Sequence, residues 1–227
     1  KLALEAGLPV TGIHRESRAA FYMARVQPDA KINNDLQKGV LIVDFGSSTI
    51  DLTYLKEGLK KPIDDGFPKK GGYPVGAATV EKLLLDYSLD HPNQGDPNTE
   101  KIRKLCRGEV GSKDEGSNVY NQLLLSFRNA KEDFFSNKQQ QPLFSVIVDY
   151  YKITSGTKHP IMGLASFYYK VEDIERILND YIHEVEVAIQ KFKKEKLGKD
   201  NPVVCVYLTG GASSMDFVRK IMMKVLY

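Results

Sequence analysis

The chain has 227 residues, of which 42% are hydrophobic and 27% charged, a composition that excludes a disordered protein and suits one large or two small soluble domains. Lys and Arg exceed Asp and Glu by only three, so the charge balance gives no reason to expect a nucleic-acid partner. Two cysteines exclude a disulfide framework and favour a reducing, cytoplasmic location, and no apolar run approaches the ~18 residues of a membrane span. Because the chain begins with Lys1 rather than Met, we expect it to be part of a longer protein.

The first strong signal along the chain is a predicted β-hairpin. A short strand over 10–14 and a short helix over 17–26 are predicted ahead of it. The continuous apolar run at 40–43 predicts a strand buried on both faces. Residues 44–48 have turn chemistry, and the apolar–polar alternation over 50–54 predicts the second strand.

Helical periodicity dominates the middle of the chain. Apolar side chains at i, i+3, i+4 and i+7 predict a first helix, whose polar residues are expected to face water. The inward set is Val80, Leu83, Leu84 and Tyr87, and the outward set is Glu81, Lys82 and Asp86. Thr99 is predicted to cap a brief helix through Leu105, residues 108–117 to form a polar link, and a longer helix to run from Asn118 to near Ser136.

The last third of the chain alternates between strands and helices. The pattern predicts strands over 143–153 and 161–169, then a long helix over 174–192. A second fully buried strand over 203–208 and a closing helix over 215–225 follow. This order predicts an α/β core with an inserted subdomain.

The turn after the first strand is one candidate site. Backbone N–H groups of such a turn can point outward together and bind a phosphate, and Thr49 adds a hydroxyl donor. Asp44, at the end of the strand, could hold a metal-bound water. The same residues also suit a plain hairpin turn in which Asp and Ser side chains bond to their own backbone.

The glycine pair Gly210-Gly211, between the last strand and the closing helix, is a second candidate site. Two glycines permit the close approach of a planar or anionic ligand, and the N-terminus of a helix supplies free N–H donors. A tight strand-to-helix connection would use the same residues.

Other kinds of site are not favoured. The four histidines are scattered, without paired spacing or a nearby cysteine, so we expect no zinc centre. Lys69-Lys70-Gly71-Gly72 lacks the spacing of a P-loop.

The order and separation of the two candidate motifs resemble the second half of the actin-like ATPase fold. A strand ending in Asp44-x-Gly46-x-x-Thr49 is followed by an intervening subdomain, a long helix, and a strand ending in Gly210-Gly211. Within that superfamily the chain resembles the seventy-kilodalton heat-shock chaperones (DnaK-like) over almost its whole length. The segments 6–8, 16–20 and 130–131 carry this second resemblance.

The resemblance implies an α/β fold: an actin-like ATPase (ribonuclease H-like) core lobe with an inserted smaller α+β subdomain. Residues 1–73 and 172–227 would form the core, and 74–171 the inserted, lid-like subdomain. The chain would be the C-terminal lobe of a chaperone-like ATPase domain that binds Mg-ATP or Mg-ADP and couples slow hydrolysis to lobe motion. Its partners would be the first lobe of the same chain and client polypeptides or co-chaperones, with no nucleic acid and no membrane. The fragment alone is not expected to hydrolyse ATP.

The resemblance also assigns roles to individual residues. Those placed on the phosphates are Gly46, Ser47, Ser48 and Thr49. Those placed in catalysis are Glu16 and Asp44, and Asp44 would also hold the metal through water. Those placed on the adenosine are Lys131, Gly210, Gly211 and Ala212.

Three positions depart from the family pattern and keep alternatives open. Glu132 and Ser214 stand where the family has arginines that sandwich the adenine, and Arg128 stands where it has a ribose-binding acid. The usual cation–π stacking on the base, worth roughly 0.5–2 kcal/mol per contact, would then be unavailable. The alternatives are an actin-fold protein-interaction scaffold that has lost nucleotide use and a small-molecule kinase of the same superfamily.

Overall fold

The computed structural model describes Ala19, Tyr22 and residues 35–64, 72–91, 97–136 and 143–227. The predicted strand over 10–14 and the candidate residue Glu16 lie outside these ranges. The predicted helix over 17–26 is described only at Ala19 and Tyr22, which are both helical.

The described chain is a mixed α/β structure. Its strands are β1 (Val40–Phe45), β2 (Ile50–Leu55), β3 (Ile63–Asp64), β4 (Phe144–Asp149), β5 (Leu164–Tyr169) and β6 (Cys205–Thr209). Its helices are α1 (Ala78–Asp90), α2 (Pro97–Cys106), α3 (Lys113–Ser136), α4 (Tyr150–Thr154), α5 (Val171–Ile177), α6 (Asn179–Phe192) and α7 (Asp216–Leu226). A π-helical turn, Lys193–Leu197, continues α6.

The main sheet has the strand order β3-β2-β1-β6. The predicted hairpin is confirmed, since β1 and β2 pair antiparallel, and β6 lies parallel to β1 on its other side. The run 40–43 is fully buried, as predicted. Successive side chains of β1 alternate between a large core, which takes Leu41 and Val43, and a smaller cluster around Val40 and Ile42.

The prediction that the last strand is fully buried is wrong. Every residue of β6 is only partly buried. Within the part of the chain that the structure describes, β6 pairs with β1 alone and forms the edge of the sheet. An apolar run predicts a strand, but it does not tell whether elements cover both of its sides.

The middle segment contains a second, two-stranded sheet, on which the helix α3 packs. β4 and β5 form an antiparallel pair, and α3 lies against them through aromatic rings. The ring centroids of Phe127 and Phe167 are 5.6 Å apart, and those of Phe134 and Phe144 are 5.8 Å apart. Such pairs stabilise a core beyond the area they bury.

Two predicted boundaries in this segment are wrong. The helix α3 begins at Lys113, inside the predicted link 108–117, because Ser112 and Glu115 form a capping box. The amide of Glu115 donates to Ser112 Oγ (3.2 Å), and the amide of Ser112 donates to Glu115 Oε2 (2.8 Å). Thr99 lies inside α2 rather than at its cap, and its hydroxyl hydrogen-bonds to the hydroxyl of Tyr150.

Two further predictions hold only in part. Residues 150–154 form the short helix α4 rather than the end of a strand, because Asp149 caps it by accepting from the amide of Lys152. The long helix predicted over 174–192 is interrupted at Leu178, where ψ is 5°. The closing helix is confirmed as α7, and its inward residues Val218, Ile221 and Met222 are buried.

Among the described helices, none has the length and apolar character needed to cross a bilayer.

Candidate functional site

The turn between β1 and β2 is held from one side by the start of α1. The carbonyls of Gly46, Ser47 and Ser48 accept hydrogen bonds from the amides of residues 76–78. Ala77 N donates to Gly46 O (2.9 Å), Ala78 N to Ser47 O (2.8 Å) and Gly76 N to Ser48 O (3.2 Å). A Cβ on Gly76 would lie 2.3 Å from Ser47 O, so this approach requires glycine.

These bonds fix the direction of the turn's amides. In a planar trans peptide the C=O and N–H groups point in opposite directions. Because the carbonyls of residues 46–48 face α1, the amides of Ser47, Ser48 and Thr49 point away from it. No hydrogen bond joins the amides of Ser47 and Ser48 to a described residue, and both residues are exposed. Three successive amides therefore present a partial positive charge to solvent, the arrangement of an anion-binding nest.

The side chain of Thr49 already has a partner. Its hydroxyl donates to Asp51 Oδ2 at 3.0 Å, and the amide of Gly46 donates to Thr49 O at 3.0 Å. The first bond orients the hydroxyl, and the second closes the turn. Thr49 thus contributes its backbone amide more readily than a free hydroxyl.

The second predicted motif lies directly beside this turn. β6 runs parallel to β1 with Thr209 opposite Asp44, so the carboxyl ends of the two strands meet. Gly210 has φ +86°, and a Cβ there would lie 2.4 Å from Phe45 O and 2.9 Å from Asp44 Oδ1. The amide of Ala212 reaches Phe45 O at 3.5 Å. The structure therefore brings Asp44, the turn and the glycine pair together at one end of the sheet.

The side chain of Lys131 reaches the start of α1, where its ammonium group forms two hydrogen bonds. Its Nζ donates to Glu81 Oε2 at 2.5 Å and to Ala77 O at 3.3 Å, and the residue is only 6% exposed. The Nε of Arg128 donates to the other oxygen of Glu81 at 2.9 Å. The ammonium group of Lys131 is therefore paired with Glu81 in this structure.

The prediction that Glu81 faces water is wrong. Its side chain is 1% exposed, because Lys131 and Arg128 together neutralise it inside the α1–α3 contact. Lys131 and Arg128 are three residues apart on α3 and therefore share one face of that helix.

The two residues for which the resemblance predicts a place beside the adenine are both exposed. Glu132 is on α3 and Ser214 lies just before α7. No group of three or more His, Cys, Asp or Glu side chains placed to hold a metal ion occurs among the residues for which the structure gives positions.

An apolar cavity of about 180 Å³ lies apart from these groups. It opens between α3, α5, α6 and α7, and Phe135, Ile174 and Phe217 are among its walls. None of the residues predicted for the nucleotide lines it.

No protein-family model matches the chain, and no curated protein is significantly similar to it.

Proposed function

We propose that this chain is one lobe of a two-lobed nucleotide-binding ATPase of the actin-like type, related to the seventy-kilodalton chaperones. The turn at residues 46–49 would bind the phosphates of ATP or ADP, and the neighbouring Gly210–Gly211 segment would bind the nucleoside. The lobe would act by closing on a nucleotide held against a first lobe of the same protein.

The observation that carries the proposal is the direction of the three amides of Ser47, Ser48 and Thr49. The carbonyls of residues 46–48 accept hydrogen bonds from the amides of residues 76–78, so the amides of residues 47–49 face the open side of the turn. Hydrogen bonds from neutral amides to an anion are charge-assisted, and they are stronger than those between neutral groups. A plain hairpin turn, the other interpretation of the same residues, forms without hydrogen bonds from residues 76–78 to its carbonyls.

Two features of the surroundings support a phosphate as the ligand. Asp44 stands at the end of β1 beside Gly210, where a carboxylate can orient the water shell of a cation bound to phosphate oxygens. Mg²⁺ bound in that way would offset the negative charge of the phosphates. The mixed sheet order, with an antiparallel hairpin flanked by a parallel strand, suits the core of the proposed fold.

The inserted subdomain remains part of the proposal. Within 74–171 the helices α1, α2 and α3 pack on one another, and α3 packs on β4 of the second sheet. The buried side chains of this segment join the main sheet in one continuous core. In the proposed protein this subdomain would move with the lobe during the nucleotide cycle, and client polypeptides or co-chaperones would respond to that motion.

The second candidate function is an actin-fold interaction scaffold that has lost nucleotide use. The specific observation in its favour is the ion pair between Lys131 and Glu81, because Lys131 is the cation that the resemblance places on the adenosine. The exposed acid Glu132, in the place of a base-stacking arginine, points the same way.

Calorimetric titration of the full-length polypeptide with Mg-ATP and Mg-ADP separates the two. Binding supports the ATPase lobe, whereas no heat above buffer at millimolar nucleotide refutes it and favours the scaffold. A Ser47→Asp variant tests the turn itself, because a carboxylate about 4 Å from a phosphate charge costs ~1 kcal/mol even at the dielectric of water. We expect it to weaken binding at least about fivefold.

The matched control is Ser145→Asp, the same change at an exposed serine of β4. It should leave the nucleotide affinity unchanged. Equal affinities for Ser47→Asp and the unaltered protein would show that the phosphates lie elsewhere.

A further inference from the structure

Among the described residues, Glu81 and Lys131 are the only charged residues that are buried. Glu81 lies on α1, fully covered, with Lys131 at 2.5 Å and Arg128 at 2.9 Å. The side chain of Arg128 is 42% exposed, but that of Lys131 is only 7% exposed. Lys131 is therefore the buried ion-pair partner of Glu81, and Arg128 is the partner that lies at the surface.

The same lysine reaches the backbone just before α1. Its Nζ donates to Ala77 O at 3.3 Å, and the hydroxyl of Tyr181 on α6 reaches Val75 O and Gly76 O at 3.1 Å each. Burial, together with the nearby Glu81 carboxylate, raises the pKa of Tyr181, so its hydroxyl stays a donor. Three successive carbonyls are thus held by side chains from two other helices.

The amides of that backbone segment hold the anion-binding turn. The amides of residues 76–78 donate to the three turn carbonyls. The carbonyls of the same segment accept from the side chains of Lys131 and Tyr181, in addition to the helical amides of residues 79 and 80. One continuous series of contacts runs from Glu81 through Lys131 and Ala77 to Gly46. The amide of Val80 also donates to Ala77 O, at 3.1 Å. If Glu81 is lost, Lys131 is left as an unpaired buried charge that favours leaving the site, and Ala77 O then keeps the bond from Val80 but loses the one from Lys131.

We infer that Glu81 is a positioning residue for the turn: it keeps Lys131 against Ala77 O and so sets the direction of the amides at residues 47–49. The part of this inference that concerns a bound phosphate rests on the proposed function. The part that concerns the order of the turn does not.

The decisive variant is the double replacement Glu81→Leu with Lys131→Met. Exchanging a buried ion pair for apolar side chains of similar volume often leaves stability unchanged or higher. This variant therefore separates a role in stability from a role in positioning, because it restores packing without restoring the bond to Ala77 O. The control is Glu175→Gln, which breaks an exposed ion pair with Lys220 far from the turn.

The readouts in the full-length polypeptide are the melting temperature, amide hydrogen exchange at residues 76–78, and the affinity for Mg-ADP. We expect the double variant to melt within a few degrees of the unaltered protein. Exchange at residues 76–78 should nevertheless be faster and Mg-ADP affinity weaker, each by about fivefold to tenfold, the worth of one hydrogen bond. The control should change neither.

Unchanged exchange at residues 76–78 in the folded double variant overturns the inference. Faster exchange with unchanged nucleotide affinity overturns its functional half. If the unaltered protein binds no nucleotide, the proposed function fails, but the exchange measurement still decides whether Glu81 orders the turn. Should the double variant not fold, Glu81→Gln, which removes the charge and keeps the shape, is judged by the same exchange criterion.

Discussion

Replacing Gly210 by alanine tests the close junction of the two candidate motifs. Gly210 has φ +86°, a backbone conformation that costs an L-residue about 1–2 kcal/mol. Its new Cβ would also lie 2.4 Å from Phe45 O and 2.9 Å from Asp44 Oδ1, both well inside contact distance. Relieving such overpacking costs a further 1–3 kcal/mol or so, which gives a total of about 2–5 kcal/mol.

Gly58 supplies the matched control. It has φ +83°, but nothing lies within 4 Å of its hypothetical Cβ, so Gly58→Ala carries the backbone cost alone, about 1–2 kcal/mol. Both replacements lower the entropy of the unfolded chain equally, so that effect cancels in the comparison. The remaining difference of about 1–3 kcal/mol corresponds to roughly 2–12 °C in melting temperature for a chain of this length.

The assay is thermal or urea unfolding of the two variants and the unaltered protein under one set of conditions. We expect Gly210→Ala to be the less stable variant, with the nuclear magnetic resonance signals of Phe45 and Asp44 displaced. Equal losses in the two variants would refute the reasoning, because they would mean that the junction at Gly210 has room for a side chain.

Three further outcomes follow from particular contacts. Thr154→Val keeps the shape of a buried side chain but leaves the amide of Ile161 without its acceptor (2.8 Å), so urea unfolding should show a loss of about 1–3 kcal/mol. The hydrogen bond from Arg103 lowers the pKa of Glu100 from 4.5 to about 2. The pair therefore contributes stability above pH 4.5, and this stability is lost as the pH falls toward 2. In the Arg103→Ala variant, nuclear magnetic resonance should show the carboxyl group of Glu100 titrating near 4.5. Burial, with a contribution from Asp86, raises the pKa of Cys106 to about 12. Iodoacetamide should therefore alkylate this thiol at pH 8 far more slowly than it alkylates free cysteine. Rapid alkylation in the folded protein would contradict the burial of Cys106.

The sequence predicted buried faces and helix starts best where they depend on the residues of a single helix or strand. Four successive apolar residues at 40–43 predict a strand covered on both faces, and β1 has a cluster on each face. The apolar spacing in α7 likewise predicts its buried face, because helix periodicity is a local property. The start of α3 was also available locally, since Ser112 and Glu115 have the spacing of a capping box.

Features that depend on distant partners could not be predicted in this way. Glu81 follows Val80 at the border of the buried face of α1, and only the arrival of Arg128 and Lys131 from α3 makes its burial tolerable. The direction of the turn's amides depends on residues 76–78, which are remote in sequence from residues 46–48. The local composition of the turn suits either an anion site or a plain hairpin, and it does not indicate that residues 76–78 bond to the carbonyls of the turn.

Because the orientation of the turn depends on hydrogen bonds from residues 76–78, the turn would not keep that orientation outside this fold. A hairpin excised from this chain, or the sequence Gly46–Thr49 grafted onto another hairpin, would leave three carbonyls to water and let its peptide planes rotate. The same residues would then present carbonyls as readily as amides to an approaching anion. The proposed anion recognition would therefore depend on the contact between the hairpin and α1, and it would arise only once that contact has formed during folding.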